Sequence, residues 1–132
     1  MFKARDFMTR SVICTRDNMP IYEAIRILSS RNLTALPVVD ADLRLVGLVS
    51  EKDVLRILYE KEDRIERTVG DYMTRKVISF DVNANLIDIC DCLMEHPFRR
   101  VPITEHGRLV GIASTSDVIR AILKLKHQEL SD

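Results

Sequence analysis

An α+β fold of the α/β type is the class this sequence predicts, built as a tandem repeat of two β-α-β-β-α units packed sheet to sheet with pseudo-two-fold symmetry. Three observations predict it. The chain repeats itself at a nearly constant offset. Within each copy, short apolar runs suited to strands alternate with stretches of helical periodicity. And 132 residues make two units too small to cover a sheet alone but large enough to share a core.

The repeat is read first. Asp6-Phe7-Met8-Thr9-Arg10 returns 65 positions later as Asp71-Tyr72-Met73-Thr74-Arg75. Val12-Ile13 returns as Val77-Ile78, and Leu36-Pro37-Val38 as Val101-Pro102-Ile103, at the same offset. Leu45-Val46-Gly47-Leu48 returns as Leu109-Val110-Gly111-Ile112, and Asp53-Val54-Leu55-Arg56 as Asp117-Val118-Ile119-Arg120, now 64 positions on. One residue is therefore missing from the second copy, in the polar stretch between the proline-containing and glycine-containing runs, where a turn tolerates deletion. Residues 1–62 make the first repeat, 63–70 a charged linker and 71–132 the second repeat.

Each element follows from its local pattern. Val12-Ile13-Cys14 suits a short buried strand. Asn18 suits an N-cap, with Pro20 in the first turn of the helix that follows. Ile21, Ala24, Ile25 and Leu28 then form one apolar stripe, matched by Leu86, Ile89, Cys90 and Leu93. Leu36-Pro37-Val38-Val39 reads as a strand with proline at its start, Asp40-Ala41-Asp42 as a turn, and Leu45 to Val49 as a second strand. Ser50 caps a final helix carrying Val54, Leu55 and Leu58.

Composition narrows the function. Twenty basic residues balance twenty acidic ones, so no overall field draws the chain to nucleic acid or to an anionic membrane. No apolar run reaches the ~18 residues of a membrane span. Three cysteines and no signal-like N-terminus point to a reducing, cytoplasmic setting. Cys90 lies on the helical stripe as a buried structural thiol. His96, His106 and His127 have no zinc or nucleophile–base spacing. His106 reads as a surface turn residue before Gly107. None of the four glycines falls in a phosphate-loop pattern. No metal site, cofactor or catalytic residue is expected.

Two features carry chemistry. Ser50-Glu51-Lys52-Asp53 and Ser114-Thr115-Ser116-Asp117 each stand where an apolar strand turns into a helix. Helix capping accounts for them in one reading: serine accepts from the backbone and aspartate reaches back. In the other, the free N–H groups of the helix end take a phosphate and the aspartate accepts from ribose hydroxyls. Arg99-Arg100 strengthens the second reading, because the guanidinium fork suits phosphate. The first copy has Thr34-Ala35 there, so the two copies should differ.

In this order and twice over, these motifs resemble the CBS-domain family, and specifically a stand-alone CBS pair, or Bateman module, from about Asp6 to Leu125. The resemblance implies a non-catalytic regulatory module that binds an adenosine-containing ligand (AMP, ADP, ATP or S-adenosylmethionine) in clefts between the repeats and signals by conformational or assembly change. It implies that Asp117 and Asp53 hold the ribose. Ser114, Ser116, Arg99, Arg100, Ser50 and Lys52 would face phosphate. Val12, Ile13, Ala35, Pro37, Val77, Ile78 and Pro102 would line the base pocket. It also implies a flat homodimer formed through helices, and a regulated enzyme or transporter whose identity is open. Two rival functions remain: a protein-interaction or dimerisation module with no nucleotide, and an enzyme, which lacks any supporting motif.

Overall fold

The computed structural model describes residues 2–60 and 67–131. The chain forms two compact units, and neither coincides with one sequence repeat: one comprises residues 13–77, the other residues 1–12 with 78–132. They are named below for their aspartates, the Asp53 unit and the Asp117 unit.

In the Asp53 unit, strand β1 (Thr15–Arg16) leads through helix α2 (Ile21–Ser30) to strand β2 (Ala35–Val39), and β3 (Leu45–Ser50) follows. Helix α3 (Glu51–Leu55) runs directly into a 3-10 turn (Arg56–Tyr59), and the one-turn helix α4 (Val69–Tyr72) ends the described elements. The sheet order is β1-β2-β3. β1 and β2 are parallel, which requires the crossover that α2 supplies; β2 and β3 are antiparallel. The Asp117 unit repeats this plan. Helix α1 (Ala4–Phe7) belongs to it, followed by β4 (Phe80–Asp81), α5 (Leu86–Glu95), β5 (Arg100–Glu105), β6 (Arg108–Ser114) and α6 (Thr115–Ser131), with sheet order β4-β5-β6.

Each unit has its own core. Ile21, Ala24 and Leu28 of α2 pack with Leu36, Val38 and Val49 of the sheet and with Val69 and Tyr72 of α4. In the other, Ala4 of α1 joins Leu86, Ile89, Val101, Ile103, Ala113, Val118 and Ala121. Ile21, Ala24 and Leu28 of one expected stripe and Leu86 and Ile89 of the other are therefore buried, whereas Ile25, Cys90 and Leu93 are partly buried against the cores. The missing residue falls where it was expected: residues 40–44 join β2 to β3, whereas only His106 and Gly107 join β5 to β6. Both of the latter have positive φ, at 53° and 79°, as a tight hairpin turn requires. His106 is exposed. In the longer turn the Asp40 carboxylate accepts from the backbone N–H groups of Asp42 and Arg44.

Several expectations are corrected. Val12-Ile13-Cys14 is not a strand: β1 begins at Thr15, and Ile13 is exposed. Residues 10–14 instead carry the chain from one unit to the other, so they have no ladder to join. Asn18 is not the cap of α2; Pro20 occupies that position, with no side-chain hydrogen bond. In the second repeat Asn85 does cap α5, accepting from Asp88 N–H at 3.0 Å. Pro37 and Pro102 do not open their strands. They stand inside β2 and β5, just before the first residues that β1 and β4 pair. Cys90 is only half-buried, and Cys92 is the buried thiol. It turns toward the C-terminal end of α5, its Sγ 3.7 Å from His96 Nδ1. Burial, with Glu95 adding to it, raises its pKa. The part of the charged linker at 63–66 lies outside the described residues, and its described end starts α4.

The one-turn helices were not foreseen. They explain the Asp-x-Met-Thr motif, because Asp6 accepts from Lys3 N–H and Asp71 from Thr68 N–H, each at 2.9 Å. Methionine and threonine then run alongside a glycine. Thr9 bridges to Ile112 and Thr74 to Leu48. A Cβ on Gly111 would lie 2.6 Å from Met8 Sδ and 3.0 Å from the Thr9 carbonyl oxygen; on Gly47 it would lie 2.7 Å from Met73 Sδ and 2.9 Å from the Thr74 carbonyl oxygen. Replacing Gly111 by alanine is therefore expected to destabilise the protein by about 1–3 kcal/mol, read as a lower urea midpoint. A midpoint equal to that of the parent would show that the crossing tolerates a methyl group.

Candidate functional site

At the end of β6 the chain turns into α6, a helix of 17 residues. Ser114 and Asp117 cap it reciprocally. Asp117 N–H donates to Ser114 Oγ at 3.1 Å, and the Asp117 carboxylate accepts from Ser114 N–H at 2.9 Å. It also accepts from Ser114 Oγ at 2.9 Å, from Thr9 Oγ1 at 3.0 Å and from the Arg120 guanidinium. Asp117 is only 2% exposed, and these donors compensate the cost of burying its charge. Capping is thus real here, and it fixes the carboxylate at the helix end.

Arg99 and Arg100 are brought to the same place. Arg100 is the cross-strand partner of Ser114. The Arg99 carbonyl accepts from Thr115 N–H at 2.9 Å. Both arginines are exposed, as is Ser116. One corner therefore holds a buried carboxylate, hydroxyls, the backbone of two exposed arginines and the positive end of a helix dipole.

The Asp53 unit has the same frame with different chemistry. Ala35 is the cross-strand partner of Ser50, and the Thr34 carbonyl accepts from Glu51 N–H at 2.9 Å. The Asp53 carboxylate accepts from Ser50 N–H at 2.9 Å and from Ser50 Oγ at 3.0 Å. Thr74 Oγ1 donates at 3.3 Å. α3 is only five residues long, so little dipole gathers at its start. Glu51 and Lys52 are exposed. Arg56, the counterpart of Arg120, does not reach Asp53's carboxylate. Its Nη2 donates to the Tyr72 carbonyl at 2.8 Å, and its guanidinium lies 5.5 Å from the Tyr72 ring centroid.

The residues expected to line the base pocket are divided by the units. Val12, Ile78 and Pro102 belong to the Asp117 unit; Ile13, Ala35, Pro37 and Val77 belong to the Asp53 unit. Pro37 and Pro102 are buried, whereas Ile13 and Ile78 are exposed.

Sequence reasoning missed two groups. Thr9 and Thr74 were part of a repeated motif, but nothing near them in sequence indicates that each bonds an aspartate of the other repeat. Glu60, in the first repeat, and Arg67, in the charged linker, carry no signal of a partner in the sequence around them. Tyr72 nevertheless donates to Glu60 Oε2 at 2.6 Å, and Arg67 pairs with Glu60 at 2.7 Å. The signal was the exchange of Phe7 for Tyr72 between repeats, since a buried phenol needs a partner.

With this geometry in view, comparison with known proteins identifies the family. The sequence matches the CBS domain over residues 4–60 and 69–124, and the chain belongs to the CBS-domain family, with two repeats in tandem. It is 36% identical over 118 residues to the Methanocaldococcus jannaschii protein MJ1225, a match covering 89% of this chain and 42% of that protein. The crystal structure of Arabidopsis thaliana CBSX2 in complex with AMP is similar at a TM-score of 0.80 and 30% identity, covering 96% of this chain and 99% of the other. The CBS pair of protein MJ0100, in complex with 5′-methylthioadenosine and S-adenosyl-L-methionine, gives a TM-score of 0.73 and 26% identity, over 92% and 96% of the two chains.

Burial, chiefly, and the hydrogen bond to Glu60 hold the Tyr72 pKa above its ordinary value, with Arg67 opposing. A pKa raised on folding favours the folded state below the unfolded value of about 10 and loses that contribution as pH rises through the folded value. Stability measured by urea denaturation is therefore expected to fall above about pH 10, and Tyr72→Phe should lessen the fall. An equally steep decline in the variant would assign the effect to other groups.

Proposed function

We propose that this CBS pair is a non-catalytic regulatory module that binds an adenosine-containing ligand, chiefly at the corner organised by Asp117. The observation that carries this reading is the capped, buried Asp117 carboxylate at the start of α6, with Ser114 and Ser116 on the same turn and the backbone of Arg99 and Arg100 beside it. Ribose hydroxyls would donate to Asp117. Phosphate would meet the serine hydroxyls and the arginines at the positive end of the α6 dipole. Val12, Ile78 and Pro102 would supply apolar surface for the base. The AMP in CBSX2 and the S-adenosyl-L-methionine in MJ0100 support an adenosine ligand.

The Asp53 corner, with Ser50, Lys52, Ile13, Ala35, Pro37 and Val77, is a second adenosine site in this reading. It lacks the arginines and the long helix, so it suits a ligand without a phosphate. The module works in the cytoplasm, and the free thiols of Cys14, Cys90 and Cys92 support a reducing setting. Ligand acts by its difference in affinity between two conformations or assemblies.

Thermal-shift titration with AMP, ADP, ATP and S-adenosylmethionine tests the reading, because binding to the folded state raises Tm. A rise with one of them is expected. Asp117→Ala should weaken that ligand by roughly 1.5–3 kcal/mol, the worth of a charged hydrogen bond. Affinity unchanged in Asp117→Ala and Asp117→Asn would overturn the assignment.

A specific observation also favours an assembly role. Ile119, Ile122 and Leu123 stand in one stripe on α6, with Leu123 64% exposed. Such a stripe calls for a covering partner, and a second copy of the chain is the one proposed. Sedimentation should give a dimer for the parent chain and a monomer for the Ile122→Asp/Leu123→Asp variant. A monomeric parent would exclude it.

A further inference from the structure

We infer that Arg120 is a latch on Asp117, competing with the ribose for that carboxylate, and that the Asp53 site has no such latch. The inference rests on the nucleotide reading above and adds a residue that decides how readily each site fills.

A carboxylate offers about four acceptor positions. At Asp117 all four are taken. One oxygen accepts from Ser114 N–H and Ser114 Oγ; the other accepts from Thr9 Oγ1 and Arg120. A ribose diol must therefore displace a donor. Ser114 N–H is backbone. Thr9 is held by two backbone hydrogen bonds to Ile112, at 2.8 and 2.9 Å. Arg120 is the donor that can leave: its side chain is 63% exposed, so water can solvate the guanidinium once it swings away.

Asp53 differs at this point. One of its oxygens accepts from Ser50, while the other has only the longer Thr74 hydroxyl bond among the described residues. Arg56 is drawn off to the Tyr72 carbonyl and ring, where Glu60 and Arg67 also hold the phenol. The acceptor that Arg120 occupies in one unit is left open in the other. The two sites should thus respond differently to the same nucleoside.

Calorimetric titration with adenosine, which has no phosphate for Arg120 to meet, tests this one site at a time. In an Asp53→Asn background, Arg120→Met and Arg120→Gln should tighten adenosine binding by about threefold or more, the factor that release from an exposed ion pair supplies. In an Asp117→Asn background, Arg56→Met should leave affinity within about twofold, since that arginine makes no pair with the Asp53 carboxylate. Circular dichroism confirms that each variant is folded. Adenosine bound no more tightly by either Arg120 variant would overturn the latch, as would equal tightening by Arg56→Met. Absence of adenosine binding in every folded variant would also overturn the latch, and together with no rise in Tm for any adenine nucleotide it would overturn the nucleotide reading itself.

Discussion

The rest of the structure depends on one close approach, in which a Met-Thr segment lies against a strand at a residue with no side chain. Met8 and Thr9 pass Gly111; Met73 and Thr74 pass Gly47. Each passage allows a two-way backbone bridge, between Thr9 and Ile112 or between Thr74 and Leu48. Each bridge puts a threonine hydroxyl onto the aspartate that closes the following helix cap. Strand, cap and carboxylate are positioned together, so the site's geometry is a by-product of how the unit closes. The short helices α1 and α4 anchor the segment by burying Ala4 in one core and Val69 with Tyr72 in the other.

The duplicated frame makes differences between the copies informative. Side chains have changed around a conserved plan of sheet, cap and crossing segment. Tyr72 in place of Phe7 recruits Glu60, Arg67 and Arg56 into a cluster around a phenol. In the other unit Arg120 turns to Asp117 instead. α6 runs on for 17 residues, whereas α3 gives way to a 3-10 turn after five. The Asp117 corner is therefore rich in positive charge and the Asp53 corner is not.

Much of this was legible in the sequence because it depends on local rules. Helical spacing identified Ile21, Ala24 and Leu28, and turn chemistry located the deletion beside His106-Gly107. Serine followed three residues later by aspartate identified both caps. Resemblance to a known family supplied the site residues that those caps alone left between two readings. What stayed hidden was non-local. Val12 to Cys14 looks like a strand because β-branched residues look alike whether they pair or merely connect. Pro37 looked like a strand opener because proline's missing N–H matters only relative to a neighbour that sequence does not reveal. Cys90 and Cys92 are two positions apart on one helix, and the direction of the core decided which of them is buried. Glu60 and Arg67 look like any other charges of a polar connection until Tyr72 gives them a common partner.

Exchange of the opening segments has a consequence for biogenesis. Residues 1–12 complete a unit whose remaining part begins at residue 78. Residues 1–12 thus leave the ribosome well before the residues they pack with, and Thr9 must wait for Ile112. The Asp53 unit closes earlier, once α4 and Thr74 have emerged. Synthesis therefore imposes an order on two units that the repeat makes nearly equivalent. The loop closed last is the longest, and such contacts slow folding. During that interval the apolar face of the half-made Asp117 unit is uncovered, which is when a chain of this design is most exposed to misassociation.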